Sequence, residues 1–461
     1  MSEKINKSQE NNYMEAPRIE TPPPGPQARA MLATQKETDS NVISYPHMIP
    51  LVPDEGLGAT VKDVDGNYYI DLSGGVGVLN VGHSHPEVVE AIKLQCEKAC
   101  HMLDFPSQAR MKLTEKLLAL VPGGMKGDSR VFLCGPTGSD AVEAGVKLSK
   151  IHSGKPGVIS FEGGWHGVTG TGLSATGKKG VRSKCMPVMP EVYIEPYAYC
   201  YRCRFGLSYP SCDLQCAKFL EHIVRDPDTP ATSPGCVLIE PIQGEGGIVV
   251  PPDGYLAEVR RICDEYGLIF IMDEIQTGFG RTGAMFASEH WDITPDLLLV
   301  SKTMGGGLPL AAVIIRNQFD TWSPGDHVGT FRGNLLSCAS GLASIEVIQK
   351  NGLVERSKNL GALALDALKD IAKDSKVIGE VRGKGLFMGL EFVKDKASKE
   401  PAPEILQKVV TRCFQRGCIL WKSGRWNNVG RMMPALVITE QLLMTAIEIF
   451  ARELKAVEKE L

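Results

Sequence analysis

A chain of 461 residues, 43% hydrophobic and 23% charged, is long enough for a large core and fits two domains better than one. A net charge of −4 gives no electrostatic reason to expect nucleic acid or an anionic membrane as partner. No stretch approaches the ~18 consecutive apolar residues that span a bilayer. Thirteen cysteines, an odd number scattered along the chain, suit reduced thiols in the cytoplasm better than a disulfide framework.

In chain order, the N-terminus is polar, then proline-rich, and lacks the apolar core of a signal peptide. It reads as a flexible arm over 1–45. Residues 59–72, ATVKDVDGNYYIDL, predict a hairpin turning at Asp65-Gly66, within a segment (46–100) that opens a small domain and links onward. Over 101–332 apolar runs alternate with helix-like stretches: RVFLCG (130–135), GVIS (157–160), CVLIEP (236–241), LIFIMDE (268–274) and LLLVSK (297–302). Continuous rather than alternating apolar runs imply strands buried on both faces, hence a mainly parallel sheet covered by helices. Over 333–461 the pattern changes to long helices with a few strands such as LFMGLEFV (386–393). The last helix keeps apolar residues at 443, 446, 447, 450, 454 and 457, one face of a helix. The expected fold is α/β, a large domain followed by a smaller α+β domain.

Ligands of open parallel sheets collect beyond the carboxyl ends of the strands. Those ends carry Gly135-Pro136-Thr137-Gly138-Ser139, Glu240, Asp273-Glu274 and Lys302. Singly, each has an ordinary reading as a cap or a solvated residue. Together their chemistry is complementary. A glycine-containing turn leading into a helix near Ser139 aims N–H groups at an anion such as phosphate. Asp273, at the rim of a dry core, needs a cationic partner such as a pyridinium N–H. Lys302, desolvated at a neighbouring strand end, becomes an amine nucleophile able to condense with a carbonyl. Phosphate cradle, pyridinium carboxylate and nucleophilic lysine describe a pyridoxal-phosphate site.

The stretches LSGGVGVLNVGHSHP, GPTGSDAVEAGVK, FEGGWHG, IEPIQGEGG, FIMDEIQTGFGRTG, PDLLLVSKTMGGGLPL, GTFRGN and VRGKGLFMGLEF occur in this order. In them the chain resembles the class III (omega-type) aminotransferases, pyridoxal-phosphate enzymes of fold type I, over about 45–455. WHGVTG, SATGKKGV and EFVKDKASKEPA bring it nearest to the dialkylglycine decarboxylase and 4-aminobutyrate aminotransferase group. The resemblance implies a large cofactor-binding domain over 101–332 and a homodimer or higher homo-oligomer. It implies that Lys302 binds the cofactor and shuttles the proton, and that Asp273 pairs with the ring nitrogen. Gln276 would bond the ring oxygen, and Trp165 would stack on the ring. Gly138 and Ser139 would hold phosphate, joined by Thr330 from a neighbouring subunit. Arg431 would bind the substrate carboxylate.

Departures from the family pattern bear on substrate. An arginine follows the His-Gly pair in 4-aminobutyrate aminotransferases; Val168 stands there here, which weakens the case for donors with a distal carboxylate. The decarboxylase has glutamine where this chain has Val76 and serine where it has Glu245, so Val76 argues against loss of the carboxylate. Val76 and Glu245 join Arg431 as substrate-side candidates. The expected activity is amino-group transfer between an amine or amino acid and a 2-oxo acid, pyruvate or 2-oxoglutarate. The alternatives are a racemase or epimerase of the same fold, or a decarboxylating transaminase.

One insertion, YCYRCRFGLSYPSCDLQC, spaces Cys200, Cys203, Cys212 and Cys216 as two close pairs. Two readings stay open: a tetrahedral thiolate site for structural zinc or an iron–sulfur cluster, or a loop of reduced cysteines packing as small hydrophobes.

Overall fold

All five apolar runs become strands of one seven-stranded sheet in the computed structural model, which describes residues 11–461. In chain order these strands are β1 (Ser129–Leu133), β2 (Gly157–Phe161), β3 (Val192–Glu195), β4 (Pro234–Ile239), β5 (Ile269–Asp273), β6 (Leu297–Val300) and β7 (Ala312–Arg316). Their spatial order is β1-β7-β6-β5-β4-β2-β3. Only β7 runs against its neighbours; it is antiparallel to both β1 and β6, and the remaining pairs are parallel. Every residue of β2, β5 and β6 is buried, which is why these runs carry no polar alternation.

The helix α1 (Gly138–Ser153) lies on this sheet. It starts where the Asp140 carboxylate accepts both the Thr137 N–H and the Thr137 hydroxyl, each at 2.8 Å. It ends at Gly154 in the left-handed conformation. Its buried side chains Ala141, Val142, Val146 and Leu148 join Leu238, Ile271, Leu299 and Val313 in one core. Burying each Val or Leu fully is worth ~1.5–3 kcal/mol, so this face secures α1.

The described chain divides into two compact units. One comprises residues up to Pro86 together with Arg356–Leu461; the other is Glu87–Glu355. The second unit is wider than the expected 101–332, because helix α2 (Leu335–Lys350) packs on the turn Lys302–Gly305 that follows β6. In the first unit the hairpin at Asp65-Gly66 forms, pairing Thr60–Asp63 with Tyr68–Asp71. A second sheet there contains the strand Phe387–Phe392. The terminal helix Glu440–Glu458 buries Leu443, Ala446, Ile447, Phe450, Leu454 and Val457, the face read from sequence.

Residues 1–10 of the expected flexible arm lie outside the described residues. Residues 18–28 of it are tied to the hairpin, against the expectation of a flexible arm for that stretch. Arg18 and Tyr68 exchange backbone hydrogen bonds, the Asn67 side chain accepts from Glu20 and Thr21 N–H, and Asp65 accepts from Gln27 and Ala28 N–H. The arm is structured by the hairpin turn it crosses.

The triple glycine after Lys302 has a packing reason. Gly306 has φ +60°, and a side chain there would come within 2.6 Å of the Ser340 carbonyl on α2. From the other side, a side chain at Gly341 would overlap the Met304 carbonyl. Gly341→Ala is therefore expected to destabilise the protein by ~1–3 kcal/mol, read as a lower denaturation midpoint. Gly123→Ala, with nothing within 4 Å, should leave that midpoint unmoved.

Candidate active site

Six of these strands end on one side of the sheet, and the segments just beyond five of them line a cavity of about 160 Å³. Its walls are Thr137, Gly138 and Ser139 after β1, Trp165, His166 and Gly167 after β2, and Glu240 and Glu245 after β4. Asp273, Ile275 and Gln276 after β5, and Lys302 after β6, complete them. Seven of the predicted site residues thus meet in one place: Gly138, Ser139, Trp165, Glu245, Asp273, Gln276 and Lys302.

Gly138 and Ser139, the first two residues of α1, precede the intrahelical hydrogen-bond ladder and lie on the cavity wall. The loop from β2 comes so close that a side chain at Gly167, where φ is +110°, would overlap the Ser139 hydroxyl. The two loops leave a cradle of backbone donors suited to an anion.

Asp273 is buried at the end of β5. His166 Nδ1 donates to its Oδ2 at 2.7 Å, and the Ile275 N–H donates to Oδ1 at 3.1 Å. His166 received no role from sequence, although it stands next to Trp165 in the quoted motif. The reason is that its partner lies 107 residues away. The adjacent Glu274 does different work. Fully buried, it accepts the N–H groups of Ala287 and Ser288 and the Thr277 hydroxyl, which folds the 274–288 loop back on itself. Burial pushes its carboxyl above the ordinary range.

Glu240 is buried after β4. One carboxylate oxygen accepts the Trp165 N–H at 2.7 Å and the other the Gly244 N–H at 2.8 Å. Burial pushes its carboxyl up to about 7, helped by Asp273 and opposed by His166. Lys302 opens its turn with a backbone φ of +48°, a strained conformation for a residue with a side chain. The Ser301 hydroxyl donates to the Leu310 carbonyl at 2.8 Å and braces that turn. Chemically, the cavity offers an anion cradle, a buried carboxylate for a protonated nitrogen, an amine for a carbonyl carbon and an indole at its wall.

The other predicted residues stand elsewhere. Thr330 is exposed on the loop between β7 and α2, and Val168 is 59% exposed outside the cavity lining. Val76 and Arg431 belong to the first unit. Val76 has φ +59° within a left-handed turn beside Gly74, Gly75 and Gly77, and Arg431 is buried on the strand Val429–Met432.

Cys200, Cys203, Cys212 and Cys216 do gather around one pocket, of about 20 Å³, together with Tyr197, Phe205, Leu207 and Leu214. Among the described residues no three of His, Cys, Asp or Glu are arranged to hold a metal ion. Of the two readings, the thiolate metal site finds no support among the described residues. The thiols share their pocket with apolar side chains, and burial pushes the Cys216 thiol up to about 11. Among the described residues no disulfide forms.

The family model for class-III aminotransferases matches residues 43–454. The diaminobutyrate–2-oxoglutarate aminotransferase of Rhizobium meliloti is 38% identical, covering 89% of each chain. The alanine/serine racemase of Pyrococcus horikoshii is 35% identical, covering 96% of this chain and 93% of its own. The crystal structure of a Bacillus anthracis aminotransferase superposes with a TM-score of 0.85 at 27% identity, over 93% of this chain and 99% of that one.

Gly167→Ala should close the anion cradle. Titrated with pyridoxal phosphate and followed by absorbance, this variant is expected to bind roughly tenfold or more weakly, as a buried hydrogen bond is lost.

Proposed function

The chain belongs to the class-III aminotransferase family, and from that premise we propose that it moves an amino group between an amine or amino acid and a 2-oxo acid, pyruvate or 2-oxoglutarate, on bound pyridoxal phosphate. The observation that carries this reading is a single cavity lined by Lys302, Asp273, Trp165, Gln276 and the start of α1. Pyridoxal phosphate fits that donor set. Gly138 and Ser139 would hold its phosphate beside Gly167, and Asp273 would pair with its ring nitrogen. Gln276 would bond the ring oxygen, Trp165 would cover a ring face, and the Lys302 amine would condense with the carbonyl carbon.

When bound, the cofactor supplies a carbonyl carbon that exchanges amines and a ring that takes up the electron pair left by a departing proton. The rest falls to the chain. Lys302 would carry the proton between the carbon bearing the substrate's amino group and the cofactor carbon. Asp273 keeps the ring nitrogen protonated, and His166 fixes the orientation of its carboxylate. Arg431, Val76 and Glu245 keep the substrate-side roles that the resemblance gives them. The relative named for 2-oxoglutarate favours that acceptor. Thirteen cysteines, an odd number scattered along the chain, suit the cytoplasm, where we place the protein.

A second reading, racemisation, is favoured by the racemase relative that covers 96% of this chain. In it Lys302 or a group on the opposite face returns the proton to the substrate carbon. Single-enantiomer amino acids incubated with and without a 2-oxo acid decide between the two. Transamination yields a new amino acid only with the acceptor; rapid appearance of the opposite enantiomer without acceptor would overturn it. Lys302→Ala is expected to lose a factor of at least ~10² to 10⁴ in turnover.

A second copy of the chain completes the reading. Thr330 stands beside Val328 and Phe331, which are 70% and 63% exposed, and the Phe331 ring contacts His101 next to exposed Met102, Leu103 and Phe105. An apolar surface of this kind suits a partner subunit, across which Thr330 would reach the partner's cofactor. Light scattering should give a mass at least twice the 50.0 kDa of the chain. Phe105→Glu with Phe331→Glu should shift it to monomer and weaken cofactor retention.

A further inference from the structure

Two loops form walls of the cavity: 162–167, which carries Trp165 and His166, and 241–247, which carries Glu245. They come into direct contact, since a side chain at Gly246 would lie 2.7 Å from the Gly163 carbonyl. The Gln243 amide donates to the Glu162 carbonyl at 3.0 Å. The strongest link is Glu240, whose two oxygens each take one backbone N–H, from Trp165 in one loop and Gly244 in the other. Its own carbonyl is held by the Tyr197 hydroxyl at 3.1 Å, so the clamp is anchored at its root. A buried carboxylate in a cofactor cavity invites a direct chemical role, but both oxygens here are engaged by backbone donors.

We infer that Glu240 is a positioning residue: a carboxylate clamp that fixes the Trp165 wall against the Glu245 wall and so sets the width of the cavity. The inference rests on the aminotransferase reading for what the cavity holds, whereas the clamp itself is independent of it. Both N–H groups need an acceptor, and an ionised carboxylate supplies a strong one to each, whereas the hydroxyl oxygen of the protonated form accepts weakly. Protonation leaves one oxygen as a hydroxyl. The charged and titratable groups facing Glu240 are Asp273, His166 and Tyr197, with Glu245 and Lys302 lining the same cavity. Burial holds its carboxyl near neutrality, so the clamp closes as pH rises through about 7 and opens below it. The sign for stability is opposite. The folded chain keeps this proton between 4.5 and about 7 where the unfolded chain has lost it, so this group's contribution falls as pH rises across that window.

Glu240→Gln keeps the shape and leaves one acceptor for two donors. The decisive measurement is amide hydrogen exchange in the full-length protein, as purified and with pyridoxal phosphate added. The Trp165 or Gly244 amide should exchange roughly tenfold or more faster in the variant. The Gly163 and Gly164 amides, whose acceptors are the Gly177 and Phe161 carbonyls, should be unchanged. In the wild type, protection at Trp165 and Gly244, corrected for intrinsic rate, should fall as pH drops through about 7. That arm needs no variant to fold. With cofactor and substrates, kcat/KM should fall roughly 10- to 100-fold, as misplacement of a positioned group does. The pH limb near 7 should flatten in Glu240→Gln. Unchanged exchange at both amides, or a uniform rise across β4 and both loops, would overturn the clamp. Intact clamp behaviour in a protein that fails to bind pyridoxal phosphate would instead overturn the aminotransferase reading.

Discussion

A carboxylate buried at the end of a core strand must be met by donors, and Asp273 is where that demand organises the cavity. Its needs reach across the sheet. His166 comes from the loop after β2, two strands away, to donate at 2.7 Å, and the Ile275 N–H closes the other oxygen. To bring His166 there, the loop after β2 must run across the end of β4, where Glu240 waits to hold the Trp165 N–H. The imidazole, two carboxylates and the indole wall are thus one arrangement. Removing one member leaves the others buried without the partner that justified their burial.

Sheet direction explains why such groups meet at all. Parallel strands end on one side of the sheet, and right-handed crossovers deliver helix starts to that same side. The start of α1 therefore shares a cavity with Asp273, although β2, β3, β4 and their crossovers separate the two along the chain. Lys302 is placed by the exception. Because β7 is antiparallel to β6, residues 301–311 need no crossover and stay at the ligand end. That tight reversal leaves a strained φ at Lys302 and requires glycines that nest on Ser340 and Gly341 of α2.

The sheet and most of the cavity were legible in the sequence because their signals are local. Unbroken apolar runs announced buried strands, and a charged or glycine-rich residue at each run's end announced the ligand side. The pairings inside the cavity were not legible, because they depend on loops meeting across large sequence separations. Glu240 and Trp165 are 75 residues apart, and His166 and Asp273 are 107 apart. The N-terminal arm misled for a related reason. Its polar, proline-rich composition reads as mobile, while its order comes from Asn67 and Asp65 side chains that accept its backbone N–H groups. The cysteine spacing brought four thiols to one pocket, but spacing carries no information on whether sulfurs converge on an ion or face Phe205 and Leu207.

The walls are immobilised one by one, each by a device next to its own strand. Asp140 caps the Thr137 end of α1, Glu240 holds Trp165, Glu274 folds back the loop behind Gln276, and Ser301 braces the Lys302 turn. Each of these four side chains acts on backbone N–H or C=O groups, joined only at Asp140 and Glu274 by a threonine hydroxyl, so position is fixed largely through the main chain. Side chains at the cavity can then be exchanged while the backbone beneath them stays in place. Relatives of this chain are named for different substrates, diaminobutyrate in one and alanine or serine in another, and a main chain held in this way leaves the cavity side chains free to differ.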